Sequence, residues 1–316
     1  MNLPHLHLIL NHVPTVGTAI AFGLLILSLI RRNDSLKRVS LEVFCVIALL
    51  TLPVYLSGIG TQPLVQKLPD VSKDLITRHH NAAVWAFLLM VLTGATAWLG
   101  LWQFRRLSRQ SWLNLSAVLL LSAVTLGTMA RTATLGGDIR HPEITTDQAA
   151  TGGEETAVAD TGWLTAASIQ SFVTDRTWVW PASEAVHFIG LWLLFGVVLL
   201  VNLRMLGMMK NASFAALHRL LPWGMLGLGV NLITGMLFVI ATPEQYLQNI
   251  AFYWKMGLLL LAGANLLYLT AFDEPWSVGP GDNAPLRVKA LSASAIALWV
   301  GVMYFGRMLP FLGNAF

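Results

Sequence analysis

The chain has 316 residues, of which 55% are hydrophobic and only 11% charged, and its mean hydropathy is +0.64. That charged fraction is less than half of what a soluble domain carries, so a water-solvated globule is excluded and lipid is the expected solvent. The net charge of +4 is small and falls between apolar segments, which gives no basis for nucleic-acid binding.

Eight apolar stretches of about 20 residues recur, near 13–30, 39–57, 80–102, 112–133, 183–203, 222–241, 251–271 and 288–309. None alternates polar and apolar residues as a barrel strand does, so each is predicted to cross the bilayer as a helix. The predicted fold is all-α and polytopic, with eight transmembrane helices in two four-helix halves. Residues 1–141 make the first half, 142–181 a connection outside the membrane, and 182–316 the second half.

In chain order, His5 and His7 precede the first stretch and are expected to be exposed, and His12 opens it. No basic segment stands before that stretch and no small-residue cleavage site follows, so it is expected to be a retained span. Arg31, Arg32, Lys37 and Arg38 come next, and Arg105, Arg106 and Arg109 follow the third stretch. Arg204, Lys210 and Arg219 follow the fifth, and Arg287 and Lys289 precede the eighth. These are twelve of the twenty Lys and Arg residues and all lie on one side, which predicts that side as cytoplasmic and both termini outside. The expected location is a bacterial inner membrane.

Within the second stretch sits Cys45, the only cysteine, so a disulfide, a Cys-rich metal site and covalent haem attachment are all excluded. His79 and His80 open the third stretch, and the fourth is followed by a turn-rich exit, Leu135-Gly136-Gly137, and then His141. The exit is expected to fold back over the bundle mouth, with its glycines letting backbone approach a flat ligand. The connection carries Asp147, Glu154, Glu155, Asp160 and Asp175, and at about forty residues it exceeds an ordinary loop. It reads either as an acidic cap that docks a basic soluble partner or as a solvated linker. Trp163 to Val173 is mildly amphipathic and suited to the interface, with Trp178 and Trp180 as anchors.

His187 lies just inside the fifth stretch, so His12, His79, His80, His141 and His187 are all expected at the outer side. Counted from the cytoplasmic ends, His12 and His187 stand roughly 25–27 Å up, in the outer part of the core. Imidazoles at one depth in lipid are costly unless ligated or hydrated. Two from different helices are the axial set of a b-type haem, so one or two haems b are the expected cofactor. His12, His80, His141 and His187 are the candidate iron ligands, with His79 in reserve. Arg78, Arg131 and Arg140 are the candidate propionate partners. A lone histidine at a helix end often simply meets water, and no helix carries two histidines spaced for a second haem layer. His218 stands alone on the cytoplasmic side.

Polar groups inside the spans are few: Glu42, Asn114, Asn202, Asn231, Lys255 and Asn265. Glu42 can reach water, Lys255 can snorkel, and Asn231 and Asn265 are expected to bond neighbouring helices. The acid and base chain of a proton pump or ion-coupled carrier is missing. The expected function is therefore electron exchange between the quinone pool and a periplasmic cytochrome or other redox subunit, with Glu184 or Glu143 accepting protons from quinol. Two alternatives belong to other classes: copper or zinc handling at the outer face by His7, His12, His79, His80 and His141, and a non-catalytic anchor for a redox complex.

His7-Leu8-Ile9-Leu10-Asn11-His12-Val13-Pro14, then Gly17, resembles the entry motif of a family of bacterial four-helix membrane proteins, and the Leu135-Gly136-Gly137 exit with His141 is similar to that family's end. The resemblance covers residues 3–141. The second half, from Ser183-Glu184-Ala185-Val186-His187 through Asn202-Leu203-Arg204, Leu221-Pro222-Trp223, Thr234-Gly235 and Phe252-Tyr253-Trp254-Lys255, resembles a second bacterial membrane family. An acidic residue is common in that family where Asn202 stands here, which weakens a proton-relay role for the position. Both resemblances imply respiratory electron transfer of a loosely cytochrome b type.

Overall fold

A computed structural model describes residues 3–68, 71–140 and 165–312, and all regular structure among them is helical. The first helices are α1 (Leu3–Leu10), α2 (His12–Arg31), α3 (Asp34–Val65), α4 (Lys73–Leu107) and α5 (Trp112–Arg140). They are followed by α6 (Ala166–Thr174), α7 (Val179–Leu206), α8 (Phe214–Leu217), α9 (Leu221–Ala241), α10 (Pro243–Leu247), α11 (Ile250–Ala271) and α12 (Leu286–Met308). Among the described residues, eight helical segments are long and apolar enough to cross a bilayer, with α1 joined to α2 and α8 to α9. By length and composition the chain is a multi-pass membrane protein.

Local chemistry sets the helix ends. Asn33, Ser72, Ser213 and Asn249 each accept a backbone N–H of the helix they precede, and Thr165 with Ser168 forms a capping box on α6. Between α1 and α2, Pro14 has no N–H to give to the Leu10 carbonyl, and the helix breaks at Asn11. Pro53 and Pro63 nevertheless lie inside α3. There the hydroxyls of Thr51, Ser57 and Thr61 bond the Ile47, Val54 and Ser57 carbonyls about one turn back in the same helix. At 32 and 35 residues, α3 and α4 run about 48 and 52 Å, well beyond a hydrocarbon core of about 30 Å.

Helices α2, α3, α4 and α5 pack as a closed ring, each against the next and α5 back on α2. The other four spans form an arc in the order α9, α7, α12, α11. Of the ring, α4 lies against both α9 and α11, and α3 lies against α11. A continuous core runs across the seam, from Phe44 and Met90 through Trp98 to Leu194 and Trp299.

One end of the molecule collects α1 and the starts of α2, α4, α7 and α11; it is the histidine end. The opposite, arginine end holds the seam together by hydrogen bonds. Trp98 Nε1 donates to Thr270 Oγ1 at 3.0 Å and Trp102 Nε1 to the His218 carbonyl at 2.9 Å. Arg105 donates to the Thr270 and Ala271 carbonyls and pairs with Asp273, while Arg106 donates to the Ala215 carbonyl.

Two expectations change. The Gly136-Gly137 exit is no turn: α5 continues as helix to Arg140. Two glycines cost a helix about 2 kcal/mol together, and packing along α4 offsets that cost. Arg204, expected among solvated cytoplasmic cations, is completely buried, and its guanidinium donates to the carbonyls of Ala212, Gly279 and Asp282. His218, the one histidine expected on that side, is buried against Phe214 and Trp276.

Candidate functional site

At the histidine end of the ring, His7 of α1 is half-buried rather than exposed. Its Nδ1 lies 3.1 Å from both the Val54 carbonyl and Ser57 Oγ of α3. A carbonyl can only accept, so Nδ1 carries the proton and Nε2 keeps its lone pair. His79 of α4 repeats the pattern: Nδ1 donates to the Thr132 carbonyl of α5 at 3.0 Å. The rings of His7 and His79 lie against Gly58 and Gly136, where a Cβ would come within 2.9 and 3.1 Å of their Cε1 atoms. Val54, which holds His7, and Tyr55, which faces His80, are successive residues of α3.

His80 points differently. Its Nε2 faces the Tyr55 hydroxyl at 3.5 Å, and Tyr55 stacks on Phe87 beneath it. Three of the eight histidines are thus brought to one corner of the ring by α1, α3, α4 and α5. The sequence placed His79 and His80 there, and named His7 only for the copper or zinc alternative while expecting it to be exposed. The five-residue spacing of His7 and His12 puts them on nearly opposite helix faces, and the break at Asn11 turns His7 onto α3.

The other expected site residues lie elsewhere. His12 is exposed on α2. His187 belongs to α7, which packs on α9 and α12 in the arc, with its Nδ1 2.7 Å from Thr234 Oγ1 of α9. Arg78 is exposed and paired with Asp74, and Arg131 is exposed. His141, Glu143 and the side chain of Arg140 lie outside the described residues, as does most of the acidic connection. Of that connection, α6 packs on α9 and α4 and buries Ile169 and Val173. Trp178 is exposed, while Trp180 packs on Phe238.

The polar residues of the spans divide in the same way. Asn265 bonds α12 through Leu291 O and Ser294 Oγ, as expected, and Asn114 bonds the Thr96 carbonyl of α4. Asn231 and Asn202 instead donate to carbonyls of their own helices, Gly227 and Val198. Lys255 lies along α12 at Gly306.

The ring corner offers imidazoles from separate helices, with His7 and His79 each tied to a backbone carbonyl through Nδ1. Among the described residues, no three His, Cys, Asp or Glu side chains are placed to hold a metal ion. A porphyrin brings four nitrogens of its own and asks the protein for one or two imidazoles. An imidazole whose Nδ1–H is tied to a backbone carbonyl has the tautomer and orientation of an iron ligand. His7 and His79 both meet that condition, on separate helices.

No protein-family model, curated protein or solved structure matches the chain. The functional argument therefore rests on the residues alone.

Proposed function

We propose that the chain is the membrane-embedded subunit of a b-type haem electron-transfer system, exchanging electrons between the quinone pool and a redox partner outside a bacterial inner membrane. The observation that carries this reading is the matched pair His7 and His79. Each spends Nδ1–H on the carbonyl of a neighbouring helix and leaves Nε2 open. Bound there, a haem supplies one-electron transfer.

The chain's own residues do the rest. Val54 and Thr132 fix the two rings, and Gly58 and Gly136 leave room for them. Tyr55 and Phe87 give the corner an apolar, aromatic floor beside His80. The distribution of arginine and lysine supports a cytoplasmic arginine end, an outward histidine end and both termini outside. It also supports treating ring and arc as two four-helix halves with one orientation.

Purification after expression with ample haem, followed by an absorption spectrum, tests the reading. A Soret band and a reduced α band in the b-haem region are expected. A colourless protein overturns it, and bound copper or zinc in that colourless protein would move the function to metal handling.

A further inference from the structure

At the histidine end, the pair α11 and α12 carries two cations that the haem reading leaves unused. Asn249, the residue before α11, donates through Nδ2 to the Leu309 carbonyl after α12 at 2.7 Å, so the two helix ends stand level. Counted from that bond, Lys255 lies six residues along α11 and Gly306 three residues back along α12, depths of roughly 9 and 4.5 Å. The Lys255 side chain climbs this difference. Its Cδ, Cε and Nζ atoms lie 3.8, 3.6 and 3.5 Å from where a Cβ on Gly306 would stand. The glycine leaves a slot on α12, and the lysine runs through it toward the end of the bundle. The next residue, Arg307, is exposed, with its guanidinium 5.9 Å from the Phe311 ring. Neither cation has an ion pair among the described residues.

Aromatic and aliphatic groups follow in the order of a bilayer. Trp254 and Tyr304 are exposed. Trp254 stacks on Phe305 across the helix pair at 5.9 Å between centroids, and Tyr304 meets Phe305 edge-on at 5.3 Å. Deeper in the spans, Leu261 is exposed seven residues beyond Trp254, and Val300 four residues before Tyr304, each on the same helix face as its aromatic partner. A cation, then amphipathic rings, then aliphatic surface matches a phospholipid from its phosphate to its acyl chains.

We infer that this end of the α11–α12 pair binds the head group of an anionic phospholipid. The Lys255 ammonium takes the phosphodiester oxygens with Arg307 as the second cation, and the acyl chains lie along Trp254, Tyr304, Leu261 and Val300. The inference goes beyond the redox reading and does not depend on it. Gly306 makes the site, because a larger side chain in the slot would turn the ammonium back from the interface. A soluble anion would meet the same ammonium and gain nothing from the rings and aliphatic surface beneath it, so the lipid is the occupant that uses the whole arrangement.

The test titrates the full chain in mild detergent with phosphatidylglycerol and with phosphatidylcholine, reading bound lipid by native mass spectrometry. Wild type, Lys255→Met, Lys255→Arg and Gly306→Leu are compared, and the fold of each is checked by dye labelling of the buried Cys45. Wild type is expected to prefer phosphatidylglycerol. Lys255→Met and Gly306→Leu are each expected to weaken its binding about tenfold, the worth of one charge-assisted hydrogen bond, with Cys45 still protected. Lys255→Arg is expected to bind as wild type does. Gly306→Leu keeps every charge, so it tests the slot even where loss of the lysine disturbs folding. Wild-type affinity in Gly306→Leu or Lys255→Met overturns the site, and so does equal affinity of the wild type for phosphatidylcholine. Displacement of the lipid by an equal concentration of inorganic phosphate assigns the ammonium to a free anion and overturns the lipid. The α band plays no part in these readouts, so the redox reading and this site stand or fall separately.

Discussion

Gly227 of α9 and Gly190 of α7 meet backbone to backbone: a Cβ on Gly227 would stand 2.5 Å from the Gly190 carbonyl oxygen, and one on Gly190 would stand 3.0 Å from the Gly227 carbonyl oxygen. Small residues of this kind let membrane helices approach without intervening side chains. The contact sets the spacing of α7 and α9, and hence the reach of His187 to Thr234, one turn away along α7 and two along α9. Gly227→Ala is expected to push the helices apart at a cost of about 1–3 kcal/mol. Cys45, the only cysteine and buried in α3, reports unfolding through its labelling by a thiol-reactive dye. A lower midpoint than wild type is expected, and an unchanged midpoint would show that the crossing adapts freely.

The haem ligands separate cleanly by substitution. His7→Ala and His79→Ala are each expected to shift or abolish the reduced α band, since each removes an imidazole whose Nδ1–H is already oriented. His12→Ala is expected to leave the spectrum unchanged, because that ring is exposed. A bleached His12 variant beside an intact His79 variant would place the iron elsewhere.

Arg204 is expected to be the most sensitive cation for stability. It is fully buried, no carboxylate pairs with it among the described residues, and it satisfies three carbonyls. A hydrogen bond from a charged group contributes about 1.5–3 kcal/mol. Arg204→Leu is expected to lower the Cys45 labelling midpoint far more than Arg219→Leu, whose side chain is exposed. Equal effects would mean that water takes over the carbonyls once the guanidinium is gone.

How much of this was legible beforehand differs by level. The eight spans followed from apolar length, because lipid leaves a backbone few other solutions. The corner at His79 and His80 followed from position along the chain. Which imidazole turns inward did not, because that depends on a helix break at Asn11 and on carbonyls of Val54 and Thr132 that carry no side-chain signature. Arg204 was misread for a related reason. In composition it is one more cation on the arginine-rich side, and only tertiary folding of the 207–213 and 279–282 segments over it turns it from a solvated charge into a buried strut. Gly136 and Gly137 read as a turn because glycine favours one locally, while the helix partner that overrides this lies far away in sequence.

Asp273 gives the arginine end a defined response to pH. Its hydrogen bond and charge contact with Arg105 hold the carboxyl below the usual carboxylate range. A lowered folded-state pKa means that the pair's stabilisation is fully present above the unfolded value of about 4 and is lost as pH falls through the folded value. The contribution is small, because the Asp273 side chain is 91% exposed and screened by solvent. Arg105 also keeps its bonds to the Thr270 and Ala271 carbonyls when the carboxylate is neutralised. The difference in Cys45 labelling midpoint between wild type and Asp273→Asn is therefore expected to be modest and constant from pH 8 to about 5, to shrink below about 4, and to vanish only once pH is under the folded value. Added salt should shrink the same gap at neutral pH. A gap that widens on acidification would mean that Asp273 opposes the seam instead of fastening it.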